Sequence, residues 1–475
     1  MAARIWATAI LLLAFPGCTD ATMEGPAVDA EDAAIRDGQA GDTSPVQHDA
    51  STPSPSPEHD GSAPPPIPTP TPPPPDADAS GPPPPSPTPP PPPTPPPSAT
   101  PPGTLRKVAY FTAWGVYGRD YHVSEIPADR LTHVNYAFAN VSESGECVLG
   151  DSYADIDRFY EGDSWDTGSL RGSFHQLQLL KERHPHLRTL LSVGGWTWSG
   201  RFSDVALTDE SRRRFADSCV ALAMGYGFDG VDIDWEYPVA GGDPGNRTRP
   251  EDRANYALLL AELRRALSSR QSADGRAEPY LLTIAAPAGP SIIPNIDVEA
   301  IHPHLDWVNL MTYDFHGGWD AITGFNAPLS PAPDDPSPGF DVTSAVESYL
   351  ARGLPAGKLV VGVPFYGRGW SAVSATGDGL YQPHGPSAPM GTWEAGIFDW
   401  HDLAANYIPR MTRHWHEASQ VPWLYDAATG LMISYDDPES LARKWAFVRD
   451  RGLGGVMIWE LSGDDASHSL LDALR

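Results

Sequence analysis

From residue 107 onward the chain repeats one pattern: a short apolar run, a loop, then an amphipathic stretch. The apolar runs are Val108–Thr112, His133–Phe138, Thr189–Val193, Gly230–Trp235, Leu281–Ala286, Trp307–Thr312, Leu359–Phe365 and Gly455–Trp459. Consecutive apolar positions suit strands covered on both faces, as in a parallel sheet. Helices are predicted over Ser169–Arg183, Asp209–Met224, Ala254–Ser268, Thr343–Arg352 and Pro438–Arg449. In the last four, apolar residues recur every three to four positions, with Arg, Asp or Glu elsewhere. Such strand–helix alternation points to an α/β protein built as a (β/α)8 TIM barrel. The rhythm breaks between Phe365 and Gly454, where the spacing holds far more than one helix. A small α+β insertion over 369–433, after strand 7, is expected to wall one side of the barrel mouth.

The chain ahead of the barrel is different material. Of the 53 prolines in the full sequence, most precede residue 103. Residues 1–17 carry Arg4 and then an apolar run, which reads as a signal peptide too short to span a membrane. The run ends Phe15-Pro16-Gly17-Cys18, which resembles a bacterial lipobox with Cys18 as the lipidation site; plain secretion is the alternative. Residues 18–103 are acidic and then Pro-rich, without apolar content for a core, and read as a disordered tether. About fifty polyproline-like residues reach on the order of 150 Å at ~3.1 Å each. The globular part is then 104–475, expected to be monomeric and extracellular or held at the cell surface.

A net charge of −29 counts against nucleic acid or an anionic membrane as partner. It fits a neutral or partly cationic ligand, and 15 tryptophans lean towards a sugar. Cys147 and Cys219 either pair in an oxidising compartment or stay as buried thiols. No Cys and His set has metal-ligand spacing, and His414 and His416 read as surface residues. No metal and no cofactor is implied.

A barrel carries its chemistry where the strands end. Polar and aromatic residues cluster there: Tyr110-Phe111, Tyr136-Ala137-Phe138, Ser192-Val193-Gly194-Gly195-Trp196, Met311-Thr312-Tyr313-Asp314, Tyr366-Gly367-Arg368 and Trp459-Glu460. The fourth strand end reads Asp229-Gly230-Val231-Asp232-Ile233-Asp234-Trp235-Glu236. With a period of two, Asp232, Asp234 and Glu236 share one face, ~6–7 Å apart at alternate Cα atoms. Three half-buried carboxylates cannot all ionise cheaply, so repulsion raises at least one pKa. The outermost, Glu236, is placed to donate it, with Asp234 behind and able to share a proton with Asp232. An Asp-rich strand end also suits Mg²⁺, but no phosphate-binding glycine loop accompanies it. Asp229 lies off this register and reads as structural.

The pattern Asp229-x-x-Asp232-x-Asp234-x-Glu236 resembles the signature of glycoside hydrolase family 18, the chitinases and their relatives. Ser192-x-Gly194-Gly195, Met311-x-Tyr313-Asp314, Pro364-Phe365-Tyr366-Gly367-Arg368 and Trp459 extend the resemblance from Val108 to Leu461, and the insertion is similar to that of the family's deep-groove branch. The resemblance implies an endo-type, retaining chitinase acting on β-1,4-linked N-acetylglucosamine polymers. In the implied substrate-assisted mechanism Glu236 is acid and then base, and Asp234 orients the substrate's acetamido group. Tyr313 hydrogen-bonds that group's oxygen, and Asp232 relays the proton. It further implies Trp459 as a stacking floor and Trp196, with Trp198 a weaker candidate, on the leaving side. Asp314, Arg368, Tyr110, Phe138 and Met311 become substrate-binding, with Ser192 and Tyr110 supporting Asp232 from beneath. An endo-β-N-acetylglucosaminidase acting on glycans and a peptidoglycan hydrolase remain alternatives, as does a chitin-binding lectin. Glycan against chitin substrates separates the enzymes, and turnover excludes the lectin.

Overall fold

The computed structural model describes residues 105–475, so the expectations for the signal peptide, Cys18 and the tether lie outside the described residues. Seven barrel strands come first: β1 (Arg106–Thr112), β2 (His133–Val141), β3 (Arg188–Gly194), β4 (Gly230–Asp234), β5 (Leu281–Pro287), β6 (Trp307–Met311) and β7 (Leu359–Pro364). Five strands of an insertion follow, β8 (Tyr366–Trp370), β9 (Ile397–Asp399), β10 (Thr412–His416), β11 (Val421–Asp426) and β12 (Leu431–Ser434), and β13 (Gly455–Trp459) completes the barrel. The barrel strands pair in parallel around the ring, and β1 closes it by pairing with both β2 and β13. This is the (β/α)8 architecture, with its strands buried on both faces.

The outer layer includes α1 (Gly172–Arg183), α2 (Asp209–Gly225), α3 (Asp252–Ala273), α4 (Val342–Ala351) and α5 (Pro438–Asp450). Their starts are written in local chemistry. Thr208 and Ser211 form a capping box ahead of α2, and Asp341 accepts the Ser344 N–H at the head of α4. Asp437 caps α5, with Pro438 in the first turn, where its missing N–H costs nothing. The first helix begins three residues later than the sequence pattern suggests. Gly172 sits at φ +68°, where a Cβ would lie 2.5 Å from the Asp155 backbone, and that approach sets the start.

The insertion is a five-stranded antiparallel sheet in the order β9-β8-β12-β11-β10. Its core packs Trp370, Trp423, Tyr425 and Met432 against Phe325. Two histidines were misplaced by sequence reasoning. His414 and His416, tested only against helical spacing, stand two apart on β10 and so share one face of a strand. His414 stacks on Trp423, with centroids 4.9 Å apart, and His416 packs against Phe325. They are packing residues rather than open surface. Cys147 and Cys219 are both buried with free thiols. Asp229 lies at the closed end of the barrel, paired with Lys181 at 2.6 Å and Arg276 at 3.0 Å. Among the described residues no helix is long and apolar enough to cross a membrane.

Candidate active site

The barrel register explains how the acidic file is built. Ser192, Asp232 and Thr283 are direct neighbours across β3, β4 and β5. All three are fully buried polar residues at the same level of the barrel, so they form a buried polar layer. Asp232 is fully buried there and accepts four hydrogen bonds. Tyr110 Oη donates to Oδ2 at 2.7 Å and Ser192 Oγ to the same oxygen at 2.8 Å. Thr283 Oγ1 donates to Oδ1 at 2.5 Å and Asn309 Nδ2 at 3.2 Å. Burial pushes the Asp232 carboxyl above its ordinary range, while these donors pull the other way.

Asp234 stands one step higher and is 3 % exposed. Its Oδ1 is buried without a hydrogen-bond partner among the described residues. Burial, then the charges of Glu236 and Asp232, push its pKa well above the ordinary carboxyl range. Glu236 follows at the mouth, half-buried. Burial raises its carboxyl to about 7, with the Asp314 charge adding to the rise and a hydrogen bond with Tyr237 opposing it. The file thus offers a proton at its outer end over the pH range where most carboxyls have lost theirs.

Tyr313 faces the file from just past β6. Its hydroxyl lies 3.7 Å from Met457 Sδ, a weak acceptor. Glu236, Tyr237, Met311, Tyr313 and Asp314 line one cavity of about 200 Å³ with Ile292 and Phe340. Trp459 packs 5.2 Å from Tyr110 and 5.8 Å from Phe138, centroid to centroid, and lies stacked on the latter. The peptide bonds after Ala137, Glu236 and Trp459 are cis, and all three lie at the mouth.

Other expected site residues differ in what they touch. Trp196 is 51 % exposed, an open indole face. Trp198, weighed for the same role, is half-buried and packs on Gly150, where a Cβ would come 2.5 Å from its ring. Barrel packing explains it. Asp314 and Arg368 are one another's first partners: Arg368 Nε and Nη2 reach the Asp314 carboxylate at 2.8 and 2.7 Å, and Tyr366 Oη adds a bond of 2.6 Å.

Sequence reasoning missed several groups. Trp114, 41 % exposed, continues the aromatic line past Phe138, with centroids 6.2 Å apart. Trp319, 60 % exposed, lies under the Arg368 guanidinium, and Trp393 of the insertion lies under Arg119. Arg119 also pairs with Asp399 at 2.8 Å and approaches Glu460 at 3.7 Å, joining the first barrel loop to the insertion. Thr283 and Asn309 could have been found, as lone polar residues in apolar strands at the depth of Asp232. Among the described residues no His, Cys, Asp and Glu group has the arrangement of a metal site.

Carboxyl groups whose proton affinity is raised by burial at a barrel mouth, with exposed indoles on the loops beyond the strands, suit the cleavage of bonds between sugars. The class defined by this fold and site is a barrel glycosidase. Residues 106–464 match the family described as Glycosyl hydrolases family 18, and the chain belongs to that family. Chitinase A1 of Niallia circulans is 43 % identical over 405 residues, covering 77 % of this chain and 58 % of that protein. Chitinase 1 of Aphanocladium album is 37 % identical over 356 residues, covering 74 % of this chain and 80 % of the relative. Among solved structures, chitinase ChiA74 from Bacillus thuringiensis superposes with a TM-score of 0.74 at 40 % identity, covering 78 % of this chain and 70 % of that one.

Proposed function

We propose that this chain hydrolyses the β-1,4 linkages of chitin and its oligomers, with retention, through the substrate's own acetamido group. The observation that carries this reading is the Asp234 carboxyl. It is buried, its affinity for a proton is raised by burial and by the charges of Glu236 and Asp232, and it keeps one oxygen unpartnered. An acetamido N–H from a sugar over Trp459 supplies the missing partner, since a buried unpaired acceptor is costly until it is met.

The steps follow from the placement. Glu236 protonates the glycosidic oxygen as the C–O bond breaks. The acetamido carbonyl oxygen attacks the anomeric carbon from the opposite face and forms an oxazolinium ion. Asp234 accepts the hydrogen bond of the acetamido nitrogen, and sharing its proton with Asp232 gives it the negative charge that balances the cation. Tyr313, whose hydroxyl has only the weak acceptor Met457 Sδ among the described residues, donates to the acetamido oxygen and keeps it in line. Glu236, now a carboxylate, takes a proton from water as that water opens the ring, and the second inversion restores the β configuration. Two protein carboxyls as acid and nucleophile are the usual retaining arrangement, and this family departs from it.

Exposed indoles come from the ends of β1 (Trp114), β3 (Trp196) and β6 (Trp319) and from the insertion (Trp393). As open aromatic faces on separate barrel loops and the insertion, they favour a long linear polymer over a compact glycan. We further propose that the enzyme acts outside the cell, exported by residues 1–17 and either anchored at Cys18 or released, with 18–103 as spacer. The experiment is a time course of products from defined N-acetylglucosamine oligomers with anomer analysis. Internal cleavage yielding β-anomers supports the reading; α-anomers, or turnover of high-mannose glycopeptides alone, would sink it.

A further inference from the structure

Glu236 stands two residues beyond Asp234, the last residue of β4. The ladders on either side end at the pairs Gly194 with Asp234 and Asp234 with Ala285. No neighbouring strand therefore meets the peptide N–H and C=O of Glu236, and orphaned backbone groups in a half-buried site need other partners. Two side chains from two different loops supply them. Ser199, fully buried, accepts the Glu236 N–H on Oγ at 2.8 Å and turns its own proton to the carbonyls of Gly195 (2.8 Å) and Asp234 (3.1 Å). Asn246 Nδ2 donates to the Glu236 carbonyl at 2.8 Å. Gly242 presses on the same carbonyl: a Cβ there would stand 2.0 Å from the oxygen.

The two loops are tied to each other as well. Ser203 Oγ donates to Asp252 Oδ1 at 2.6 Å, and the Arg249 backbone N–H meets Asp252 Oδ2 at 2.7 Å. The Arg249 guanidinium reaches Ser203 at 2.7 Å and Asp204 at 2.6 Å, and Arg247 pairs with Asp204 too.

We propose that Ser199 and Asn246 are positioning residues that clamp the Glu236 peptide from both sides and so fix where its carboxyl meets the glycosidic oxygen. The proposal rests on Glu236 being the acid. A proton donor must lie ~2.6–3.2 Å from its acceptor, and a misplacement of ~1 Å costs on the order of 10²-fold in rate. With the peptide held at nitrogen and oxygen, only side-chain rotation remains to Glu236. Asn246 is half-buried on the loop, so changing it tests the clamp without opening the core.

The test uses the full chain and a chromogenic β-glycoside of diacetylchitobiose, with kcat, KM, the pH profile and the thermal midpoint measured for Ser199→Ala, Asn246→Ala, Asn246→Asp and Glu236→Gln. Asn246→Ala and Ser199→Ala are expected to lose about 10–100-fold in kcat, with KM nearly unchanged. A loosened acid admits water, so the basic limb of the profile moves to lower pH. Asn246→Asp keeps the shape but replaces the donor with an acceptor, and is expected to fare no better than Asn246→Ala. Full activity in Asn246→Asp would leave Asn246 as packing only and overturn the proposal. So would a loss of kcat that merely follows a lowered thermal midpoint with an unmoved pH limb. Should Ser199→Ala fail to fold, the Asn246 variants decide alone. Inactive Glu236→Gln beside fully active Asn246→Ala rejects the clamp only; active Glu236→Gln rejects the underlying reading instead.

Discussion

Replacing Asp314 by Asn should move the basic limb of the pH–rate profile to lower pH. In the proposed mechanism Glu236 must be protonated to act, and its carboxyl sits at about 7, raised first by burial and then by the Asp314 charge. The substitution removes an anion that favours the protonated form. It also leaves the Arg368 guanidinium, now held bidentate by Asp314, without its counter-charge. Both changes favour ionised Glu236, so its pKa falls. A nearby charge moves a carboxyl by about 1–3 units, and Arg368 already offsets much of the Asp314 charge, so the low end, about one unit, is expected. One unit means about a tenfold smaller protonated fraction at any pH above both values. The assay is kcat/KM on a soluble N-acetylglucosamine oligomer from pH 4 to 9. The variant should lose about tenfold more at pH 8 than at pH 5. Arg368→Gln, which leaves Asp314 with the Tyr366 hydroxyl but without its counter-charge, should move the limb the other way. A limb that stays put in both variants, or moves upward in Asp314→Asn, would refute this electrostatic reading of the acid.

Other consequences follow from the same coordinates. Lys444 and Asp436 form a fully buried pair at 2.6 Å under α5, so Lys444→Ala strands a buried carboxylate and should lower unfolding free energy by about 3–5 kcal/mol in denaturant titration. Trp459→Ala removes the proposed stacking floor and should raise KM for chitin oligomers while the fold, followed by circular dichroism, stays intact. Fully deacetylated glucosamine oligomers lack the carbonyl nucleophile and should be bound without being cleaved, as product analysis by mass spectrometry would show.

The barrel was legible because its strands are buried on both faces and its helices are not, so periodicity separates them. The acidic file was legible because period two puts Asp232, Asp234 and Glu236 on one face. What stayed hidden depends on contacts between distant segments. Trp196 and Trp198 differ by two positions in sequence, yet one is open and the other packs on Gly150, 48 residues earlier in the chain. Asp314 and Arg368 each read as a sugar-binding group, and only the fold reveals that they bind one another first. His414 and His416 were judged against helical spacing because nothing local announces the edge strand that carries them.

The account turns on Glu236 as the group that gives up the proton. Glu236→Gln keeps the shape of the side chain and removes its acidity. Hydrolysis of N-acetylglucosamine oligomers should fall by about 10²–10⁴-fold, while their dissociation constant by calorimetry stays within a few-fold of the parent. Turnover close to that of the unaltered chain would contradict the account.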